Sequence, residues 1–166
     1  MAQLATVRIT SSVQPSATGD FTSGGSVVVV SDVRLSDGTS ADQSDRCGFD
    51  ERTIAASTSE DLDLQTITAT SSGAALGLEE LRSITIKAAT GNGDNITVGP
   101  GASNGFTGFL ADASDRLILA PGTTFTLVCP QDGKYDVSSS NKVLSVTNSS
   151  SSVSATYTIL LIGTSA

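Results

Sequence analysis

The feature that most limits how this chain can fold is a period-two alternation confined to short segments with turn residues between them. In residues 153–163, Val153, Ala155, Tyr157, Ile159 and Leu161 share one parity, and Ser154, Thr156, Thr158, Leu160 and Ile162 share the other. Successive side chains of a strand point to opposite faces. The start of this segment therefore reads as a strand with one apolar face, and its end as a strand buried on both. Residues 81–88 alternate likewise, with Arg82, Ile84, Ile86 and Ala88 against Leu81, Ser83, Thr85 and Lys87, which turns Ile84 and Ile86 inward. Residues 116–120, 123–129, 135–138 and 142–147 complete a series of short strands. Their separators are Pro121-Gly122, Asp132-Gly133, residues 139–141 and the polar run 148–152. Strands at such spacing predict an all-β fold, an antiparallel β-sandwich of jelly-roll type.

Leu62, Leu64 and Ile67 predict a further strand, and residues 74–81 a loop or a single helical turn. Gly91-Asn92-Gly93-Asp94-Asn95 is a turn sequence, because Gly and Asn tolerate positive φ, and it should join 81–88 to 95–98. Phe106 and Phe109 are rare large apolar groups expected in the core. The first third is less regular. Residues 4–10 alternate as a short strand does, and residues 11–25, with Pro15, Gly19, Gly24 and Gly25, read as a loop or arm. Val27-Val28-Val29-Val30 is short and β-branched, which predicts a strand buried on both faces or pairing with a neighbouring subunit. Residues 36–51 carry Asp37, Asp42, Asp45, Asp50 and Glu51 with Arg46 and Arg52 between them, and read as a solvated loop or an inter-subunit contact. Residues 53–56 are a candidate short strand. The expected organisation is an extended N-terminal arm or assembly segment over 1–59 and a β-sandwich domain over 60–166.

Composition supports strands and excludes several functions. Apolar residues make up 38% and charged residues 16% of the 166, with Ser, Thr and Gly abundant, a mixture poor in helix formers. A net charge of -8 opposes attraction to nucleic acid or anionic lipid. No apolar run approaches the roughly 20 residues that span a bilayer, so neither nucleic acid nor membrane is an expected partner. The start Met1-Ala2-Gln3-Leu4-Ala5 lacks the pattern of a secretory signal, which predicts synthesis in a cytoplasm without export by the general secretory route. Cys47 and Cys129 lie far apart with no Cys-x-x-Cys pair, and are expected as two reduced thiols.

The chain has no histidine, so a Ser-His-Asp or Cys-His arrangement is impossible and neutral-pH acid–base chemistry loses its usual carrier. Two carboxylate groups remain, Glu60/Asp61/Asp63 and Asp112/Asp115, which a glycosidase or a hard cation could use. Asp61 and Asp63 sit at strand spacing, and a charged strand edge is the simpler reading. Residues 91–95 lack the ligand series of an EF-hand, and no GxGxxG or Walker lysine makes them a phosphate loop. The sequons at Asn95 and Asn148 are read as chance matches in a Ser/Thr-rich chain. No catalytic, cofactor-binding or metal residue is assigned, and no cofactor is expected. Small Ser and Thr side chains lose little rotamer entropy on ordering and suit wide contacts between many copies.

From about Asp61 to the end, the sequence resembles the small β-sandwich virion structural proteins of tailed bacteriophages. The resemblance rests on Leu62-Asp63-Leu64, Leu81-Arg82-Ser83-Ile84-Thr85-Ile86-Lys87, Asn95-Ile96-Thr97-Val98-Gly99, Pro121-Gly122 before Phe125-Thr126-Leu127, Leu144-Ser145-Val146-Thr147-Asn148 and residues 157–163. It implies a subunit made in the bacterial host cytoplasm that joins the virion as a capsid decoration, cement or head–tail component, and it carries over no catalytic residue. The partners it implies are the major capsid protein or other virion proteins.

A non-enzymatic, homo-oligomeric structural protein follows as the expectation, a trimer first because of capsid three-fold positions. A tail, head–tail connector or baseplate component is the near alternative. A carbohydrate- or receptor-binding β-module is the alternative of another class, disfavoured by the absence of Trp and an aromatic content of 4%. A carboxylate-pair enzyme is the third.

Overall fold

The computed structural model describes residues 5–13, 27–68 and 73–166. Among these the chain is all-β, without a helix, in ten strands. A two-stranded ribbon comes first: β1 (Ala5–Val13) pairs antiparallel with β2 (Val27–Leu35) from Ala5 opposite Leu35 to Val13 opposite Val27. The remaining strands are β3 (Arg46–Ile54), β4 (Ser59–Asp63), β5 (Glu80–Ala88), β6 (Ile96–Pro100), β7 (Leu117–Leu119), β8 (Thr124–Val128), β9 (Val143–Asn148) and β10 (Ala155–Thr164). They form two four-stranded sheets, ordered β3-β10-β5-β8 and β4-β9-β6-β7.

The pairing is nested. β6 pairs with β7, β5 with β8, β4 with β9 and β3 with β10, all antiparallel, so the chain runs out and returns beside itself. Two further pairings, β10 with β5 and β9 with β6, fold that long double strand into two sheets. Pro121-Gly122 shows how local chemistry serves this path: Gly122 has φ +81° and Thr123 N–H donates to the Ala120 carbonyl at 2.9 Å. Those are the marks of a type II turn with Pro and Gly at its two central positions. The turn at 91–95 forms without any positive φ. Asn92 holds it instead, donating to the Thr156 carbonyl at 2.9 Å and accepting from Thr156 N–H at 2.8 Å.

The inward parities meet as expected. Ala155, Tyr157, Ile159 and Leu161 of β10 and Ile84, Ile86 and Ala88 of β5 face Leu62, Ile96, Val98, Leu119, Leu144 and Val146 of the other sheet. Burying each such Leu or Ile is worth about 1.5–3 kcal/mol. Loop residues Leu64, Leu76 and Leu78 close the ends. Phe106 is fully buried and meets Phe109 edge-on with centroids 5.8 Å apart.

Several expectations change. Residues 46–51, read as a loop, belong to β3, an edge strand of the sandwich, so the boundary expected near 59 falls at the first residue of β4, and β3 before it already pairs into a sheet. The part of residues 1–59 that lies outside the two sheets includes the paired ribbon of β1 and β2, and most of the loop expected at 11–25 lies outside the described residues. Residues 135–138 make only isolated bridges, Glu80 to Asp136 and Ser138 to Asn141, because Val137 alone of them is buried. In β5 a bulge intervenes: Ile162 faces Ser83 but Gly163 faces Leu81, so Arg82 is an extra residue and Leu81 swings into the core. Gly163 makes room for this, since a Cβ there would meet the Glu80 carbonyl oxygen and Leu78.

Candidate functional site

The ribbon has the least self-sufficient surface of the molecule. Alternation places Val7 and Ile9 of β1 and Val29 and Val33 of β2 on one face, with Thr6, Arg8, Thr10, Val30, Asp32 and Arg34 on the other. Near the base the apolar face is covered, and Leu35 is fully buried although it lies outside the main core cluster. Farther out, Ile9 is 38%, Val29 65% and Val30 47% exposed. The reading of 27–30 as a strand buried on both faces is therefore not met within this chain. Among the described strands β2 pairs with β1 alone, on one edge.

The root of the ribbon is pinned to the sandwich. Ser44 N–H donates to the Ser36 carbonyl and Asp42 N–H to the Pro130 carbonyl, both at 2.8 Å. Arg82, with no exposed surface, reaches into this loop and donates to the carbonyls of Thr39 and Ser40, each at 3.2 Å, and to that of Gln131. It pairs with Glu80 at 3.0 Å and Asp132 at 2.8 Å. Burial raises the Glu80 carboxyl above its ordinary value, against the opposing pull of the Lys134 N–H and Arg82, whereas the hydrogen bond from Arg82 lowers Asp132. One guanidinium, set at the bulge, thus ties two loops to β5.

The two sides of the sandwich differ in their open edges. On one side, β3 and β4 carry charges into the gap between the sheets: Arg52 pairs with Asp50 at 2.5 Å and with Glu60 at 2.7 Å. Tyr157 donates to Glu60 at 3.0 Å, and burial together with the Glu60 charge pushes its phenol far above the ordinary value. Inward charges of this kind discourage a foreign strand from pairing. On the other side, β7 is three residues long, and β8, Thr124-Phe125-Thr126-Leu127-Val128, carries no charge. Cys129 N–H donates to the Arg82 carbonyl and Ala88 N–H to the Thr123 carbonyl. Odd positions of this segment therefore face β5, and Thr124, Thr126 and Val128 direct their backbone groups to the open side. Phe125 and Leu127 pack against the core but are only half-buried.

Of the residues weighed for chemistry, Glu60, Asp63, Asp112 and Asp115 are held by hydrogen bonds or ion pairs within the fold. Asp61 and Asp63 do share a face of β4, while Glu60 points the other way, to Tyr157 and Arg52. Burial would raise Asp63, but the Lys142 ammonium at 2.7 Å and the N–H groups of Gln65 and Thr66 hold it below the usual carboxylate range. Asp112 accepts from Ser114 N–H and hydroxyl at 2.8 Å, and Asp115 accepts from Ala111 N–H at 3.0 Å and Asp112 N–H at 2.9 Å. Both carboxylates brace one loop. Among the described residues no group of three His, Cys, Asp or Glu side chains is placed to hold a metal ion. Asn148, one of the sequon asparagines, is buried, and its amide donates to the carbonyls of Ile54, Ala55 and Val153.

Cys47 and Cys129 are free thiols. The register Cys47–Ile162–Ser83–Val128 puts them on opposite edges of one sheet. Three inter-strand spacings are about 14 Å, too far for one bridge within the chain. A shallow cleft of about 270 Å³ lies on the outer face of that sheet, lined by Glu51, Lys87, Thr90, Thr156 and Thr158 among others. Among the described residues Phe49, 49% exposed, is the only highly exposed aromatic ring. Among the described residues no helix is long and apolar enough to cross a membrane.

No family model matches the sequence, and no curated protein matches it. Among solved structures the chain is similar to one described under "Bacillus endospore appendages form a novel family of disulfide-linked pili". The identity is 15% and the TM-score 0.36, over 73% of this chain and 90% of that one. A likeness of that size carries no argument about role.

Proposed function

We propose that this chain is a structural subunit that acts by static association, an eight-stranded jelly roll bearing a ribbon that docks on a neighbour. The jelly-roll reading is supported by the nested strand order, in which six of the seven connections from β3 to β10 pass from one sheet to the other. The observation that carries the assembly reading is the ribbon: two strands alone are marginal in water, and this pair leaves valines uncovered on both faces near its outer end. Together with the sequence resemblance, this favours a virion protein of a tailed bacteriophage, a capsid decoration or cement subunit made in the host cytoplasm and contacting the major capsid protein. A tail, connector or baseplate position is the second form of the same reading. The test is electron microscopy of purified particles with this protein located by its density. Many symmetry-related copies on the head are expected. A chain that stays monomeric and never copurifies with particles overturns the proposal.

A further inference from the structure

We infer that copies of this chain join by strand addition, β2 of one copy adding through its charge-free run at 27–31 to the open edge of β8 in the next. The inference rests on the assembly reading and names the partner surface. Three observations carry it. The first is demand: Val29 and Val30 point to opposite faces of β2 and are 65% and 47% exposed. A β-branched strand with apolar groups on both faces fits a place inside a sheet that has apolar neighbours above and below.

The second is supply. Among the described strands the outer edge of β8 is unpaired, and the backbone groups of Thr124, Thr126 and Val128 point to it. A strand laid there would continue the inner face beside Phe125 and Leu127 and the outer face beside Thr124, Thr126 and Val128; Thr124 is exposed and the other four are half-buried. The third is exclusion: β3 and β4, on the other side of the sandwich, hold Asp50, Arg52 and Glu60 inward, and β7 is three residues long. β8 is the longest open edge without a charge among the two sheets' described strands, and its five residues match the five of 27–31. Each copy then offers one donor strand and one acceptor edge. That is a head-to-tail contact, which closes into a ring or extends as a filament, with main-chain bonds supplying affinity and alternate side chains supplying fit.

The experiment uses the full chain and native mass spectrometry with light scattering. A donor-blocked variant carries Val29→Lys and Val30→Lys. An acceptor-blocked variant carries Thr126→Pro, which removes an N–H aimed at the open side and leaves the β5 ladder intact. Thr126→Lys serves in its place if circular dichroism shows that the proline variant has lost its β-structure. Each variant alone is expected to self-associate about tenfold or more weakly than the parent chain. A one-to-one mixture is expected to form a heterodimer, because the first protein keeps its β8 edge and the second keeps its ribbon.

A folded Thr126→Lys protein that associates as the parent does, or a mixture that yields no pair, overturns the inference. Should the parent self-associate while no variant matters, strand addition at β8 falls and the assembly reading stands. Should the blocked variants form no pair yet bind particles, the ribbon's partner is another virion protein. A parent chain that neither self-associates nor binds particles removes both.

Discussion

Val146 and Val29 are the same side chain in two parts of one molecule, the first with no exposed surface and the second 65% exposed. Val146 lies on β9, whose inner face meets a second sheet, and every strand of the sandwich has at least one partner and a face turned to that common core. Val29 lies on β2, whose sole described partner strand is β1. Hydrophobic stabilisation follows the area removed from water and not the residue type. The sandwich therefore supplies its own burial, and the outer part of the ribbon does not. If the ribbon docks on a neighbour as proposed, folding and assembly rest on different residues, and each can be altered with little effect on the other.

The largest expected effect breaks the join between the two regions. Arg82→Ala leaves Glu80 buried without its cation and strips hydrogen bonds from the carbonyls of Thr39, Ser40 and Gln131. Removing one member of a buried ion pair costs about 3–5 kcal/mol, and urea melts of the variant should show a loss of that order. Hydrogen exchange should rise at Asp42 and Ser44, whose N–H groups bond at the ribbon's root. A loss under about 1 kcal/mol would mean that the bulge and its loops hold without the guanidinium. A smaller effect lies wholly inside the sandwich. Asn148→Ala leaves the carbonyls of Ile54, Ala55 and Val153 without their donor and Ser150 N–H without its acceptor, at a cost of about 1–3 kcal/mol. Thermal melts should register it while leaving the ribbon's association unchanged.

The legible parts of the fold were those where alternation and burial agree. Tyr157, Ile159 and Leu161, or Ile84 and Ile86, each face a core, and the outward residues between them are mostly polar. β3 was hidden because its inward positions include Gly48, Asp50 and Arg52, which read as solvent-facing until Glu60 and Tyr157 are seen to meet them across the gap. The bulge at Arg82 left no local mark in β5; its one sequence sign is Gly163 on the partner strand, uninterpretable without the pairing. Residues 135–138 were over-read because Tyr135 and Val137 alternate correctly, yet the segment meets only the start of β5, through the bridge of Asp136 to Glu80, and no longer ladder forms. The ribbon was half legible. The four valines read as a strand buried on both faces or pairing with a neighbouring subunit, and within this chain Val29 and Val30 stay exposed, so burial on both faces is not met.

The smallest expected effect is the sharpest test of the difference between the two regions. Ile9→Ser and Val29→Ser replace apolar groups that are 38% and 65% exposed in the isolated chain. Val29 keeps most of its contact with water on folding, so monomer stability should shift by no more than about 0.5 kcal/mol for it. Ile9, more covered, should shift somewhat more. The same substitutions at a core position, Val146→Ser for instance, leave a hydroxyl in a closed apolar site and cost several times as much. Denaturation at low concentration reads the monomer; repeated at high concentration, it adds whatever association contributes. If Val29→Ser lowers stability only at high concentration, its burial is intermolecular. Equal losses at both concentrations would instead place Val29 among this chain's own folding contacts, and the ribbon would have to be counted as part of the folded unit.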